Sequence, residues 1–335
     1  MTGGHDLRTL LDTIIIRDSH HDRIDATDPR DRVYALLGIA NDQAAKEIVA
    51  DYTLSCEQAY IMTARALLKH GYDDILSCCR IRGKCEGLPS WVPDWSADLR
   101  KPWSVWHVKE RLFNASGEAN KVLEINTVSG EKNAFETDIT LKGYFVDTIQ
   151  DVGHPFRHDF DDNLDRSNLR LYFKDISAFL SQSSKYTPDQ KDEAEWRIPV
   201  GDTEVAELNV QMLRASPKSH MKAGYAVAKQ MGRVEPAADD YVKNNFLAFA
   251  CFCCQLARMY DSRPFISDSG YVGVSPLETQ SGDTIAILKG ARVPYVLRRA
   301  GGGKRWTLIG ESHVYGIMDG EFMATDPVAE DITLC

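Results

Sequence analysis

Four of the six tryptophans in this chain of 335 residues fall within sixteen consecutive positions. The first two lie in the proline-punctuated run Leu-Pro-Ser-Trp-Val-Pro-Asp-Trp-Ser, which begins at position 88. Indole rings bury a large apolar area, so a loop that carries several of them either packs as a plug or lines a binding pocket. We call residues 88–106 the tryptophan segment and keep both interpretations open. Its tryptophans are Trp91, Trp95, Trp103 and Trp106.

A pair of titratable residues near the C-terminus offers a second kind of chemistry. Glu311 and His313 lie two positions apart on a predicted strand, where that spacing puts side chains on the same face. Such a pair can act as general acid and base, although a polar cross-strand face is the commoner cause of the pattern. The sequence contains no phosphate-binding loop, dinucleotide fingerprint, serine-hydrolase elbow or zinc-protease motif. An enzyme with this sequence would therefore work without a familiar catalytic motif.

The eight cysteines favour ordinary reduced thiols. A chain of this size needs no disulfide framework in order to fold. Cys78, Cys79 and Cys85 have the residue type for a zinc site but lack the usual ligand spacing. We therefore expect reduced thiols and no stoichiometric zinc.

Charge and hydropathy restrict the partners of the chain. A net charge of -10 and an isoelectric point near 5.4 repel the phosphates of nucleic acids. No apolar run approaches the roughly 18–20 residues that a membrane helix needs. The first residues lack the basic and apolar regions of a secretory signal. We expect a cytoplasmic protein with no nucleic-acid partner and no membrane span.

Five short apolar runs between Ser269 and Phe322 predict a β-rich core. Each run is rich in β-branched or aromatic side chains and ends at a turn signal, such as Gly301-Gly302-Gly303, which we interpret as a hairpin turn. Their spacing of roughly 8–12 residues predicts an antiparallel meander that curls into a barrel or a strongly twisted sheet. Residues 121–127 and 137–148 are predicted to join this sheet, and Gly143 marks a bulge or a close approach.

Apolar residues at three- and four-residue steps predict helices before and between these strands. Helix 55–70 has the clearest start, because Ser55 and Gln58 fit a capping box. Arg30 and Asp31 begin another helix, and we expect them to be buried or half-buried and paired. The predicted fold class is α+β, with a mostly antiparallel, barrel-like sheet inside a helical coat. The predicted helices span residues 6–16, 30–38, 55–70, 168–180, 203–231 and 239–260.

The predicted domain organisation has two parts within one continuous globular unit. Residues 1–110 hold the N-terminal helices and the tryptophan segment. Residues 111–335 hold the β core, which a helical insertion at 150–262 interrupts. The polar stretch 151–199 within this insertion is expected to cross the surface with one helix.

Several motifs together resemble the fungal heterokaryon-incompatibility (HET) domain family. The first is Thr-Asp-Pro-Arg-Asp-Arg-Val-Tyr-Ala-Leu-Leu-Gly at 27–38, and the tryptophan-bearing run at 88–96 follows. The C-terminal motifs are Gly-Tyr-Val-Gly-Val-Ser-Pro at 270–276, Gly-Ala-Arg-Val-Pro-Tyr-Val-Leu-Arg at 290–298 and Gly-Ile-Met-Asp-Gly-Glu at 316–321. As an ordered set that spans most of the chain, they are specific to this family.

The resemblance is to the C-terminal portion of such proteins. Only 26 residues precede the first motif, whereas HET proteins usually carry there a half that is similar to nucleotide-handling TIR-type domains. The death response associated with that half is therefore not expected to carry over. Freestanding proteins similar to this one occur in fungal secondary-metabolite clusters. There the resemblance implies a cofactor-free cyclase of the Diels–Alder type that acts on a small apolar metabolite such as a terpenoid.

The cyclase hypothesis assigns roles to particular residues. A pericyclic reaction needs an apolar cavity that holds the reacting groups together, and one or two donors to an activating carbonyl. Under this hypothesis the four tryptophans wall the cavity and Tyr271 or helix 239–260 closes it. The candidate donors are His107, Lys109, Arg111 and Arg298.

The alternative hypothesis is a truncated HET-type regulatory protein that binds a protein partner and catalyses nothing. The two hypotheses predict different interiors. A closed apolar cavity of several hundred Å³ beside the tryptophan segment favours the cyclase, whereas a solid core with an exposed apolar patch favours the binding protein.

Overall fold

The computed structural model describes residues 5–15, 26–79, 85, 87–97, 99, 102–105, 112–117, 135–157, 166–205, 212–216, 219–231 and 245–335. Within these ranges helices accompany a large, mostly antiparallel sheet, so the predicted α+β class is confirmed. The helices are α1 (Leu7–Ile15), α2 (Asp31–Leu37), α3 (Gln43–Glu47), α4 (Cys56–Lys69), α5 (Arg166–Gln182), α6 (Pro188–Arg197), α7 (Met221–Met231) and α8 (Phe246–Leu256). The strands are β1 (Ile139–Val152), β2 (Thr203–Val205), β3 (Met212–Arg214), β4 (Ser262–Ser267), β5 (Val272–Pro276), β6 (Thr284–Leu288), β7 (Tyr295–Ala300), β8 (Arg305–Glu311), β9 (His313–Val314) and β10 (Glu330–Leu334).

Five strands of the main sheet are hydrogen-bonded to one another in a ring. The eight strands lie in the order β10-β8-β7-β6-β1-β4-β5-β9, and β10 also pairs with β1. The strands β10, β8, β7, β6 and β1 therefore form a circuit, which β4, β5 and β9 extend. Only the pairing of β10 with β8 is parallel among those that the structure describes in this sheet. This is the barrel-like core that the sequence predicted.

The long strand β1 joins the parts of this sheet. Its first residues pair with β10, its middle with β6 and its end with β4. Gly143 lies where β1 touches both β10 and β6. A Cβ atom at this position would come within 2.7 Å of Ile332 Cδ1 and 3.0 Å of the Ile287 carbonyl oxygen. The predicted close approach at Gly143 is therefore confirmed, and a larger residue would push the strands apart.

The apolar runs predicted as a meander contain β5 to β9, and the Gly301-Gly302-Gly303 turn connects β7 to β8. Two further strands escape the sequence patterns. Strand β4 contains Pro264, and proline weakens a strand prediction because it has no N–H to donate. Strand β10 has only five residues, two of them acidic, and it becomes a strand through its pairing with β1 and β8.

Helix α4 begins as the sequence predicts. The Ser55 hydroxyl oxygen accepts the Gln58 N–H at 3.2 Å, and the Gln58 side chain accepts the Ser55 N–H at 2.9 Å. This reciprocal pair satisfies two amide groups that would otherwise lack partners at the helix start.

The helix predicted for residues 203–231 is wrong in its first half. Strands β2 and β3 pair there as an antiparallel ribbon, and among the described residues of this range only those of α7 are helical. The β-branched side chains of Thr203 and Val205 favour extended backbone. Gly201, with a φ of 58°, ends the preceding helical turn and redirects the chain.

Residues 151–199 do more than cross the surface, contrary to the prediction. They hold two helices, α5 and α6, rather than one. Trp196 of α6 is 1 % exposed, so this polar-looking stretch contributes to the core. The charged residues Glu193, Glu195 and Arg197 flank Trp196, which hides the buried side of this helix from a composition-based prediction.

The expected pairing of Arg30 with Asp31 is wrong, although both residues are half-buried. Arg30 instead pairs with Asp28, with Nη2 and Oδ2 2.6 Å apart, and Asp31 accepts a hydrogen bond from the Tyr52 hydroxyl at 2.6 Å. Consecutive residues at a helix start point in different directions, so neighbours in sequence do not face each other.

The expectation of reduced thiols throughout is wrong for one pair. Cys56 and Cys85 form a disulfide, which ties the first residue of α4 to the chain just before the tryptophan segment. Their 29-residue separation in sequence gave no sign that folding brings them together. The other six cysteines are not part of a disulfide. In the described part of the chain, no group of three His, Cys, Asp or Glu side chains is placed to hold a metal ion, and no helix is long and apolar enough to cross a membrane.

Candidate functional site

The first two tryptophans of the tryptophan segment pack as core. Trp91 is 0 % exposed, its Nε1 donates to the Thr137 carbonyl at 2.8 Å, and the Arg65 guanidinium lies 5.2 Å from its ring centre. Trp95 is buried with its ring edge-on to Tyr60, at 5.1 Å between centroids. Every face of these two rings is thus used for packing.

Trp103 lies where the tryptophan segment meets the end of the β core. Its backbone N–H donates to Glu311 Oε1 at 3.0 Å, and the neighbouring Ser104 hydroxyl donates to Glu311 Oε2. Its ring is edge-on to Phe113 and to His313, at 5.4 and 5.9 Å. Trp103 therefore contacts both members of the Glu311–His313 pair that the sequence singled out.

The cavity beside Trp103 is small. It measures about 40 Å³ and is lined in part by Glu311, Cys78 and Met259. A water molecule needs roughly 10–15 Å³ of such space, so the cavity admits one or a few waters and no terpenoid. Among the residues that the structure describes, Trp91, Trp95 and Trp103 are buried, and Trp103 lines this small cavity.

Of the other predicted site residues, some lie apart from one another and the rest are not among the described residues. Arg298 donates two hydrogen bonds of 2.8 Å to the Asp283 carboxylate and one of 2.7 Å to the Glu278 carbonyl. Its Nε and Nη2 donors therefore bind groups of the protein itself. Tyr271 is 8 % exposed and carries the Lys185 ammonium 3.7 Å above its ring centre. The rest of the predicted set lies outside the described residues, and the roles assigned to it stay predictions. That set is Trp106, His107, Lys109 and Arg111.

A larger opening lies at one end of the β core, and we call it the rim cleft. Its volume is about 840 Å³ and it opens to solvent. Helix α6 supplies Glu193 and Arg197, the turn after it supplies Asp202, and β3 supplies Arg214. The chain from β9 onward supplies the remaining polar side chains that matter below. These are His313, Tyr315, Asp319 and Glu321.

An ion network builds one wall of the rim cleft. Asp202 lies between two guanidiniums, 2.5 Å from Arg197 Nη1 and 2.5 Å from Arg214 Nη2. Arg197 also pairs with Glu193 at 2.9 Å, and Arg214 with Asp319 at 2.7 Å. The network therefore fastens α6, β3 and the segment after β9 to one another. Burial lowers the pKa of both guanidiniums, but the carboxylates outweigh it and raise that pKa above its ordinary value.

His313 lines the rim cleft without being part of this network. It is 1 % exposed, and its Nδ1 has no hydrogen-bond partner among the described residues. Burial, reinforced by the positive charges of Arg214 and Arg197, lowers the pKa of His313 to about 3 although Asp319 opposes the shift. The imidazole is therefore neutral at physiological pH.

Sequence reasoning found His313 through its spacing from Glu311, but it missed the ion network. Arg197, Asp202, Arg214 and Asp319 span more than a hundred positions and belong to no motif. A helix end, a strand and two turns must fold together before these charges meet, so no local signal marks them.

Comparison with known proteins identifies the β core. The Het-6 β-barrel domain family matches residues 241–334. This part of the chain is therefore similar to the Het-6 β-barrel domain. The heterokaryon incompatibility protein 6, OR allele, of Neurospora crassa is 28 % identical over 357 residues, which cover 89 % of this chain and 49 % of that protein. The resemblance to the HET family is thereby confirmed. The chain spans about half the length of this curated relative, and no solved structure matches it.

The region that matches the Het-6 β-barrel domain supplies only part of the rim cleft. His313, Asp319 and Glu321 belong to the matched region, whereas Arg197, Asp202 and Arg214 precede it. Strand β1 also precedes the match, although it pairs with three strands of the matched region. The rim cleft is therefore formed where the barrel meets the helices packed against it.

Proposed function

We propose that this chain is a recognition component of the heterokaryon-incompatibility type, which binds a partner rather than converting a metabolite. The observation that carries the proposal is the packed tryptophan segment. Trp91, Trp95 and Trp103 are buried, and the cavity next to Trp103 measures about 40 Å³. The likeness to a heterokaryon incompatibility protein points the same way.

The cyclase hypothesis finds less support in these cavities. Confining a diene and a dienophile requires an enclosed apolar space, because catalysis then comes from holding the reacting atoms close together. The enclosed space beside Trp103 is too small, and the rim cleft is open and lined by charges. Neither offers the environment that an apolar terpenoid needs, although the roles of His107 and Lys109 stay predictions.

The rim cleft suits recognition on physical grounds. Its charged side chains are held by mutual ion pairs on a helix, a strand and two turns, so their positions are set before a partner arrives. Preorganised charges discriminate between partners because a like charge placed opposite them is repelled. A protein that must distinguish self from non-self needs this kind of selectivity.

An incompatibility assay tests the proposed function. The chain is expressed in strains of its own species that differ at incompatibility loci, and viable colonies are counted. We expect colony loss in some allelic backgrounds and normal growth in others. The control is the same gene with an early stop codon, which should grow equally well everywhere.

Two results together would refute the recognition function. The first is equal colony numbers in every background although folded protein accumulates. The second is conversion, by the purified protein, of an apolar polyene to a cyclised isomer of the same mass. The latter result would establish the cyclase hypothesis instead.

A further inference from the structure

We propose that the rim cleft binds a guanidinium group, supplied by an arginine side chain of a protein partner, with Asp319 and Glu321 facing the charge and His313 Nδ1 accepting one of its hydrogen bonds. The choice of a protein partner rests on the proposed recognition function. The chemistry of the ligand rests on the charges and the hydrogen-bonding capacity of the cleft itself.

The described lining of the rim cleft has an excess of negative charge. It contains four carboxylates, on Glu193, Asp202, Asp319 and Glu321, and two guanidiniums, on Arg197 and Arg214, which leaves two negative charges unbalanced. Outside the lining, Lys222 pairs with Glu193, with its Nζ 3.7 Å away, and with Asp192 at 2.7 Å. The excess negative charge of the cleft therefore favours the binding of a cationic ligand.

The guanidinium donors of the cleft are already occupied. Arg197 donates to Glu193, to Asp202 and to the Ala215 carbonyl. Arg214 donates to Asp202, to Asp319 and to the Leu112 carbonyl. An anionic ligand would have to displace these internal acceptors, so the two arginines do not form an anion site.

Acceptors, in contrast, are left over. Asp319 uses Oδ1 for Arg214, and Glu321 uses Oε2 for the Asp319 N–H at 2.8 Å. Within the described ranges no hydrogen bond engages Asp319 Oδ2 or Glu321 Oε1. These two carboxylates can therefore accept further hydrogen bonds from a cationic donor.

His313 points to a ligand independently of the carboxylates. A buried ring nitrogen without a hydrogen bond is unfavourable, and native proteins seldom leave one unless it has a role. The ring is uncharged and edge-on to Trp103 and Phe113, so Nδ1 presents a lone pair when Nε2 carries the proton. A donor entering the rim cleft would satisfy this nitrogen.

A guanidinium fits this set of acceptors better than an ammonium does. Its planar fork presents five N–H groups, so it can reach two carboxylates and a ring nitrogen together. It also stacks on aromatic rings, as Arg214 does on Phe113 at 4.6 Å, and the half-buried Tyr315 offers such a ring in the rim cleft. An opening of about 840 Å³ admits the arginine side chain with its flanking backbone.

Calorimetric titration of the folded, full chain tests the assignment. The probes are a capped Gly-Arg-Gly peptide, the same peptide with citrulline or lysine in place of arginine, and spermidine. We expect saturable one-to-one binding of the arginine peptide. The citrulline peptide, which has the same shape without the charge, should bind at least about tenfold more weakly, equivalent to about 1.4 kcal/mol.

Matched variants locate the binding. The double variant Asp319→Asn/Glu321→Gln keeps the acceptor oxygens for Arg214 and for the Asp319 N–H but removes both charges. It should weaken the arginine peptide at least about tenfold. The control is Asp331→Asn, a similarly exposed ion-pair carboxylate on β10 that pairs with Lys142 away from the cleft. In ¹⁵N spectra, the Nδ1 resonance of His313, assigned by its loss in His313→Phe, should shift on addition of the arginine peptide.

Several results would overturn the proposal. Citrulline and arginine peptides that bind equally would remove the charge argument, and an unaffected double variant would place the binding elsewhere. Tighter binding of spermidine than of the arginine peptide would reassign the site to a free polycation. If no probe binds but colony loss remains allele-dependent, the ligand assignment fails and the recognition function stands. If the arginine peptide binds but colony numbers never differ, the ligand assignment stands and the recognition function fails.

Discussion

Replacing Trp91 by alanine is expected to lower the free energy of unfolding by about 3–5 kcal/mol, the usual cost of deleting a large buried aromatic side chain. Trp91 is 0 % exposed, and the substitution also removes its hydrogen bond to the Thr137 carbonyl and the ring beneath Arg65. Urea unfolding of the purified chain, followed by circular dichroism, measures the change.

Trp91→Phe serves as the control because it keeps an aromatic ring in the same space. It should lose less stability than the alanine variant. A tryptophan that lined a ligand pocket would behave differently, because truncating it would enlarge an existing opening rather than create a new cavity. Unchanged stability in Trp91→Ala would therefore contradict the conclusion that the tryptophan segment is core.

Acidification is expected to destabilise the protein through His313. In the folded chain the pKa of His313 is lowered to about 3 by burial and by Arg214 and Arg197, whereas an unfolded histidine titrates near 6.5. Below the unfolded pKa the unfolded chain takes up a proton that the folded chain does not. Stability is therefore complete above about pH 6.5 and falls by about 1.4 kcal/mol per pH unit toward the folded pKa.

The variant His313→Phe isolates this contribution, since it retains a ring against Trp103 and Phe113 but has no proton to bind. Between about pH 7.5 and pH 4.5 the native chain should lose about 2–3 kcal/mol more than this variant. The measurement is urea unfolding at a series of pH values. Parallel pH dependences in the two proteins would show that His313 is not held neutral by the fold.

Features that depend on a few consecutive residues could be predicted from the sequence. The capping box of Ser55 and Gln58 needs only four consecutive residues, and the Gly301-Gly302-Gly303 turn needs only its own glycines. The apolar runs that contain β5 to β8 are likewise local patterns. Gly143 signalled a close approach because glycine in a strand has few other causes.

Features that depend on distant partners could not be predicted. Strand β10 is strand because β1 and β8 lie beside it, and the ribbon of β2 and β3 forms where a helix was expected. Cys56 and Cys85 meet only after α4 and the tryptophan segment have packed. In each case the local sequence permits several structures, and tertiary contacts select one.

The candidate site likewise has parts that could be predicted from the sequence and parts that could not. The tryptophan segment and the Glu311–His313 pair are visible in the sequence because their residues are close together and unusual in type. The sequence could not decide whether the tryptophans form a plug or a pocket, since that depends on which surfaces cover them. The rim cleft was invisible, because Arg197, Arg214 and Asp319 are ordinary surface-type residues until the fold joins them.

The most direct test of the central claim combines the incompatibility assay with the cleft variant. The native chain, Asp319→Asn/Glu321→Gln and the control Asp331→Asn are expressed at equal soluble levels in backgrounds that differ at incompatibility loci. Recognition through the rim cleft predicts allele-dependent colony loss for the native chain and the control, and equal growth everywhere for the double variant. Colony loss by the double variant as strong as that of the native chain would contradict it.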